Sequence, residues 1–202
     1  MKVVLKSSFA VAVLFFSACS FQNQAIDTTQ FFLLQSNYKN FQRDFKPTHK
    51  ILKIATLNPP LYLNTKNIIY TEKQRMNAYA SHFWADTPSN LYRFLLLQKF
   101  DQSKIFKAVV TQESSVESDF LLESRVNAFE QYINGKQNYA FISVSVNLLD
   151  GKKKGFVAYK NFLLKENIAH LNPTSVFEAF EKASNILADE IVLWVACVLE
   201  EK

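Results

Sequence analysis

The side chains of this sequence that could do chemistry are few, and their spacing decides which chemistry is open to them. The histidines are His49, His82 and His170. None falls in a His-Glu-x-x-His pattern, which would set two imidazoles and a base on one helix face. His82 and Asp86 stand four apart, but Thr87-Pro88 starts a helix there, so the pair does not share a helical face and no metal site is expected. Glycine is confined to Gly135, Gly151 and Gly155. That leaves neither a phosphate-cradling loop nor a Gly-x-Ser-x-Gly elbow. Asp119, Glu123 and Glu130 lie on or beside an alternating segment and read as solvated strand charges rather than an acid/base pair. The expectation is a protein without catalytic residues, metal or cofactor.

The two cysteines differ in context. Cys197 sits in Val195-Ala196-Cys197-Val198 and reads as a small buried hydrophobe. Cys19 closes a secretory layout: Lys2 and Lys6, the apolar Phe9 to Phe16, then the small pair Ser17-Ala18. A cysteine directly after such a pair resembles the lipobox of bacterial lipoproteins, with Phe16 where Leu is usual. The resemblance implies removal of residues 1–18 and a lipidated Cys19, palmitate included. A plain signal cleaved near Ala18 is the other reading. A membrane-spanning anchor is not the expectation, because Phe9 to Cys19 is shorter than the ~20 apolar residues a bilayer core requires.

Composition sets the class. The chain has 202 residues, 49% of them hydrophobic, with 19 Phe, which suits one packed domain rather than a disordered chain. Lys2 and Lys6 leave with the signal and no acidic residue does, so the formal charge of +5 falls by two. So weak and scattered a surplus gives no footprint for nucleic acid. The one basic run, Lys152-Lys153-Lys154, is flanked by Gly151 and Gly155 and reads as a solvated turn. With Cys19 acylated, no internal disulfide remains, so stability must come from packing.

The organisation follows from periodicity. Residues 19–29 read as a polar, lipid-anchored tether and 30–202 as a single domain. Phe31 to Leu34 and Ile51 to Ala55 read as strands, and Pro59-Pro60 ends the second. Ile68-Ile69-Tyr70 and Met76 to Ser81 form a hairpin. Thr87-Pro88 opens a helix whose apolar face is Leu91, Tyr92, Phe94, Leu95 and Leu97. Ile105 to Val110 is a strand. Then come two long alternating runs. In the first, Leu122, Ser124, Val126 and Ala128 oppose Glu123, Arg125, Asn127 and Phe129. In the second, Ala140, Ile142, Val144, Val146 and Leu148 oppose Phe141, Ser143, Ser145 and Asn147. Asn134-Gly135 and Asp150-Gly151 are hairpin turns, and Gly155 to Leu164 completes an antiparallel meander. Ser175 to Glu178 has capping-box spacing. One long helix follows to the C-terminus, its end from Ile191 to Leu199 apolar all round and so expected to be buried.

Three stretches carry a family resemblance. Pro60-Leu61-Tyr62-Leu63 leads into Ile68-Ile69-Tyr70; an aromatic strand ends at Trp84-Ala85-Asp86-Thr87-Pro88; and Phe120 to Glu130 alternates before a hairpin and closing helix. In this order, behind Cys19, they resemble the ABC-type transport auxiliary lipoproteins, which include paraquat-inducible protein C. The likeness spans roughly residues 30 to 199. The chain departs in its wealth of Phe and Lys and its three Gly, which bears on loops rather than fold. The resemblance implies an α/β fold: a mixed, largely antiparallel sheet with two main helices packed on it, akin to the N-terminal domain of the TolB type. It also implies a non-catalytic subunit of a lipid-transport system. Its partners would be an MCE-domain protein and ABC transporter components, with the membrane reached through the lipid anchor. Ser20 after Cys19, with no Asp there, favours the outer membrane, facing the periplasm.

Aromatic residues point to where such a subunit would touch a partner. Tyr79, Phe83 and Trp84 stand close together, and aromatics dominate interface energetics. Trp84 at a strand-to-helix junction is more often a core plug, with the binding anchor as the other reading. A stand-alone envelope lipoprotein with a structural or adhesive role is the alternative function.

Overall fold

The computed structural model describes residues 28–37 and 45–201. The signal segment, Cys19 and the tether as far as residue 27 lie outside the described residues. The described residues form strands β1 (Gln30–Phe32), β2 (Ile51–Thr56), β3 (Asn67–Glu72), β4 (Arg75–Trp84), β5 (Ala108–Thr111), β6 (Phe120–Asn134), β7 (Gln137–Asp150) and β8 (Gly155–Asn167). Helix α1 (Pro88–Ser103) lies between β4 and β5, and α2 (Pro173–Glu200) closes the domain.

The fold is α/β, with an open eight-stranded mixed sheet. The β6–β7–β8 meander and the β3–β4 hairpin are antiparallel. β1 runs parallel to β4, and β2 runs parallel to both β5 and β6. β6 organises the whole. One edge pairs with β7 along its length. The other is shared: β2 takes Phe120 to Ser124, and β3 takes Glu130 to Ile133. A 3-10 turn, Leu61–Leu63, lies between β2 and β3 in the chain. There the Tyr62 hydroxyl donates to the carbonyl of Asn127 at 3.3 Å, and Leu63 is fully buried. A backbone acceptor in the gap is thus satisfied by a side chain.

A β-bulge sits at that gap, with Val126 opposite Val144 but Ala128 opposite Ser143. The extra residue switches the strand's faces. Strict alternation put Phe129 on the solvent side with Glu123 and Arg125; past the bulge it is 1% exposed and Gln131 is buried beside it. β7 has no such shift along this stretch, and Ala140, Ile142, Val144, Val146 and Leu148 are all buried as their alternation predicts.

Both helices run along the buried face. α1 packs on β2, β5 and β6, α2 packs on β7 and β8, and the helices touch each other. Leu95 and Leu187 are core residues. The helix starts differ from the sequence reading. Thr87 occupies the N-cap of α1, but its side chain caps nothing; Asp86 accepts from the Thr87 amide at 2.7 Å and from Asn90 at 3.1 Å. The α2 cap is Asn172, which accepts from the Ser175 amide at 2.8 Å. Pro173, with its preset φ and missing N–H, takes the first helical position, so the Ser175–Glu178 capping box is not formed. Phe94 is half exposed, and Leu193 and Cys197 also face solvent. The apolar end of α2 is therefore only partly buried, and Cys197 is not a buried hydrophobe. The first and fifth strands are shorter than their apolar runs, because Leu34, Ile105 and Phe106 are buried in connections rather than in ladders.

Candidate docking surface

β4 carries all three aromatics singled out by sequence, and an irregular register gives them different fates. Asn67 pairs with Phe83 while Ile69 pairs with Ala78. The surplus residues of β4, Tyr79 among them, bulge out between these points.

Trp84 faces inward and has no exposed surface. Its ring meets Phe129 at 5.2 Å and Phe180 at 5.3 Å, both edge-on, with Phe177 at 6.4 Å. It therefore joins β4 to β6 and α2. Its Nε1 has no hydrogen-bond partner among the described residues, so the indole acts here through packing alone. As a contact residue Trp84 is corrected: a side chain without accessible area offers a partner nothing.

Tyr79 is half-buried. Its ring stands edge-on to Tyr70 at 5.5 Å and to His82 at 6.3 Å. Its hydroxyl donates to Gln131 Oε1 at 2.6 Å. Burial pushes the phenol pKa up, with a further rise from Tyr70 and an opposing effect of the Gln131 bond. Phe83 is partly exposed and lies opposite Phe31 of β1, ring to ring at 6.0 Å. Phe32 turns the other way, stacking on His82 at 6.0 Å and Phe177 at 4.8 Å. His82 thus works as a packing ring. Asp86 is engaged at the helix start, and among the described residues no group of three or more His, Cys, Asp or Glu side chains clusters.

The exposed part of the surface lies partly on residues the aromatic motif did not include. Phe31 is 62% exposed, Leu33 53% and Phe94 50%. Leu33, Leu34, Leu91 and Phe94 line a shallow cleft of about 390 Å³ beside α1. The sequence signal for it was the unbroken run Phe31-Phe32-Leu33-Leu34, since an edge strand next to a helix cannot bury every side of such a run. The chain just beyond is clamped between the helices. Asn185 Nδ2 donates to the Gln35 carbonyl at 2.8 Å, and its Oδ1 accepts from the Asn37 amide at 2.9 Å. Lys99, fully buried, donates to Asn37 Oδ1 at 2.6 Å and pairs with Asp189 at 2.8 Å.

At the far end of the sheet, Lys152 pairs with Asp119 at 2.7 Å. The Asp119 carboxylate also accepts from the Ile51 amide at 2.9 Å. The Lys152 hydrogen bond first, then the backbone bond, holds this carboxyl below the usual aspartate range. The lysine run is exposed, as expected of a turn, and its first member locks the start of β2 to the β7–β8 turn.

The model of the ABC-type transport auxiliary lipoprotein component matches residues 32–192, from the end of β1 well into α2. The chain belongs to this family. Solved structures agree on the fold. A Xanthomonas campestris protein, XCC0632 of family DUF330, is similar with a TM-score of 0.77 at 18% identity, covering 85% of this chain and 98% of that one. An uncharacterized protein is similar with a TM-score of 0.65 at 15% identity, over 83% and 99% of the two chains. The hypothetical protein CT253 of Chlamydia trachomatis has a TM-score of 0.50 at 9% identity, over 74% and 96%. No curated protein matches the chain. For this auxiliary lipoprotein, no helix among the described residues is long and apolar enough to cross a membrane.

Proposed function

We propose that this auxiliary lipoprotein is a non-catalytic binding subunit of an MCE-type ABC lipid-transport system, anchored at the outer membrane through Cys19 and facing the periplasm. The family match over residues 32–192 carries the reading, together with the Ser17-Ala18-Cys19 ending of the leader. Residues 1–18 are removed and Cys19 is diacylated through its sulfur. Two acyl chains, at ~0.8 kcal/mol per buried CH₂, hold a protein stably on a membrane. The domain contributes contact rather than chemistry. Its docking surface is the exposed aromatic edge of β1 and β4, with Phe83 and Phe31 as anchors, Tyr79 alongside and Trp84 as the support beneath.

Affinity purification from gently solubilised envelopes tests this. The wild-type lipoprotein should recover the MCE-domain protein and transporter components. Phe83→Ala combined with Phe31→Ser should recover several-fold less while the domain melts normally. Recovery of no transporter component by the wild type overturns the assignment. Equal recovery by the variant moves the docking surface elsewhere. Cys19→Ala should leave a full-length precursor that takes up no palmitate; normal labelling of that variant overturns the anchor.

A further inference from the structure

The cleft beside α1 is apolar and uncharged. Leu33, Leu34, Leu91 and Phe94 line it together with Gln35, Ser36 and Gln98, and Leu33 and Phe94 are half exposed there. The neighbouring Arg93 lies over the Phe94 ring at 5.1 Å, and its charge is matched by Glu113 at 2.9 and 3.0 Å. Other clefts of the domain differ. The one beside the β7–β8 turn is lined by Lys53, Glu117, Lys152 and Lys154, and the one beside the first half of α2 by Glu178, Glu181 and Lys182. Taking charged groups out of water is costly, so of these three clefts the one at α1 is the one readily dried against hydrocarbon. Exposed apolar patches of this kind mark contacts with proteins or membranes, and the position of this one selects between them.

The cleft sits where the chain leaves the domain. β1 is an edge strand among the described strands, paired with β4 alone. Leu33 lies five residues past Thr28, at most about 17 Å of extended chain. Thr28 is nine residues from Cys19, a span that reaches at most ~32 Å. We propose that the Leu33–Phe94 cleft rests on the membrane that holds Cys19, with its apolar side chains seated at the boundary of headgroups and acyl chains. The contact rests on the lipid anchor at Cys19. Given that anchor, the contact is intramolecular, and a short linker keeps its effective concentration high. A few apolar side chains then suffice, although alone they would not hold a free protein on lipid. They reach ~5–10 Å into the interface, as surface-seated apolar faces do. The partner edge stays free. Phe32 stacks on Phe177 of α2, so Phe31 beside it turns to the opposite face of the sheet, where it meets Phe83. The cleft lies on the helix side, against α1. One domain can thus touch lipid and partner at once.

The experiment uses the mature lipoprotein, carrying Cys197→Ser, in vesicles of phosphatidylethanolamine and phosphatidylglycerol. A single added cysteine, Gln98→Cys, carries an environment-sensitive fluorophore and leaves Leu33 and Phe94 in place. Flotation with the vesicles reports the anchor separately. The fluorophore should shift to the blue and be quenched several-fold by lipids bearing a nitroxide high on the acyl chain. The same label on Lys153→Cys, at the β7–β8 turn, should show neither effect. Leu33→Asp with Phe94→Asp should float and melt normally and lose the quenching at position 98. The labelled native cleft decides the question even where that double variant folds poorly. A floating protein whose label at position 98 is unquenched overturns the contact and leaves the anchor standing. A blue shift without quenching also overturns it, since a second copy would then occupy the cleft. So does quenching that persists in a folded double variant. Failure of the wild type to float overturns the anchor and the contact together.

Discussion

The two halves of the sheet are built by different rules. In the β6–β7–β8 half, long antiparallel ladders join strands adjacent in sequence, tight turns fix the register, and α2 covers one face. In the half made of β1 to β5, strands are shorter, several pairings are parallel, and partners are distant in the chain. The first half owes its geometry to local pattern. The second owes it to tertiary contacts, so it should be the less stable, since non-local pairing is rewarded only after its loop entropy has been met. Trp84 is the rivet between them, because it starts on β4 and packs on β6 and α2.

Removing that rivet should give the largest effect. Trp84→Ala should cost ~3–5 kcal/mol in chemical unfolding and raise amide exchange in β1, β3 and β4 more than in β7 and β8. Uniform loss of protection across both halves would break the comparison. Next are the two helix cores. Leu187→Ala and Leu95→Ala should each cost ~2–5 kcal/mol, and the Leu95 change should loosen β2 and β5 ahead of β8. A cost below ~0.5 kcal/mol for either would mean the helix bears on its half of the sheet elsewhere.

A smaller effect is expected at the exposed aromatic edge. Phe83→Ala with Phe31→Ser should shift the melting midpoint only slightly, because both rings retain solvent contact, while reducing partner recovery. The smallest effect is electrostatic. Asp119 has a lowered pKa in the fold, so its stabilisation is present above the unfolded aspartate value of ~3.9 and is lost as pH falls through the folded value. The stability difference between wild type and Asp119→Asn should thus be full at neutral pH and shrink under acid. A difference that stays constant down to pH 2 would assign the Asp119 contribution to shape rather than charge.

The same division explains what could be read in advance. The meander was legible because Asn134-Gly135 and Asp150-Gly151 sit between alternating runs, and a period of two leaves little choice of face. Phe129 was misplaced because a bulge is one residue inserted by pairing geometry, and nothing in Val126-Asn127-Ala128 announces it. The α2 cap was misread because Asn172-Pro173 and Ser175 to Glu178 both carry start signals; only the fold selects the earlier one. Among the contact candidates, Tyr79 and Phe83 lie partly at the surface. Trp84 was ambiguous because its neighbours Phe129 and Phe180 come from distant stretches. Phe31 and Leu33 were read only as strand residues and Phe94 only as part of a helix's apolar face, since exposure of an apolar run depends on whether a further strand lies beyond it.

The clamp on Gln35 and Asn37 gives the domain a mechanical character. A chain tethered upstream of Thr28 delivers any tug first to β1, whose three-residue ladder on β4 could be peeled one bond at a time. Three residues past β1 the strand path meets Asn185 and the Lys99–Asp189 pair, rooted in two different helices. Peeling stops there, and the load passes into the helix layer as shear shared by both. The arrangement is the strain relief on a cable: a pull on the segment upstream of β1 meets side chains of both helices just past that strand.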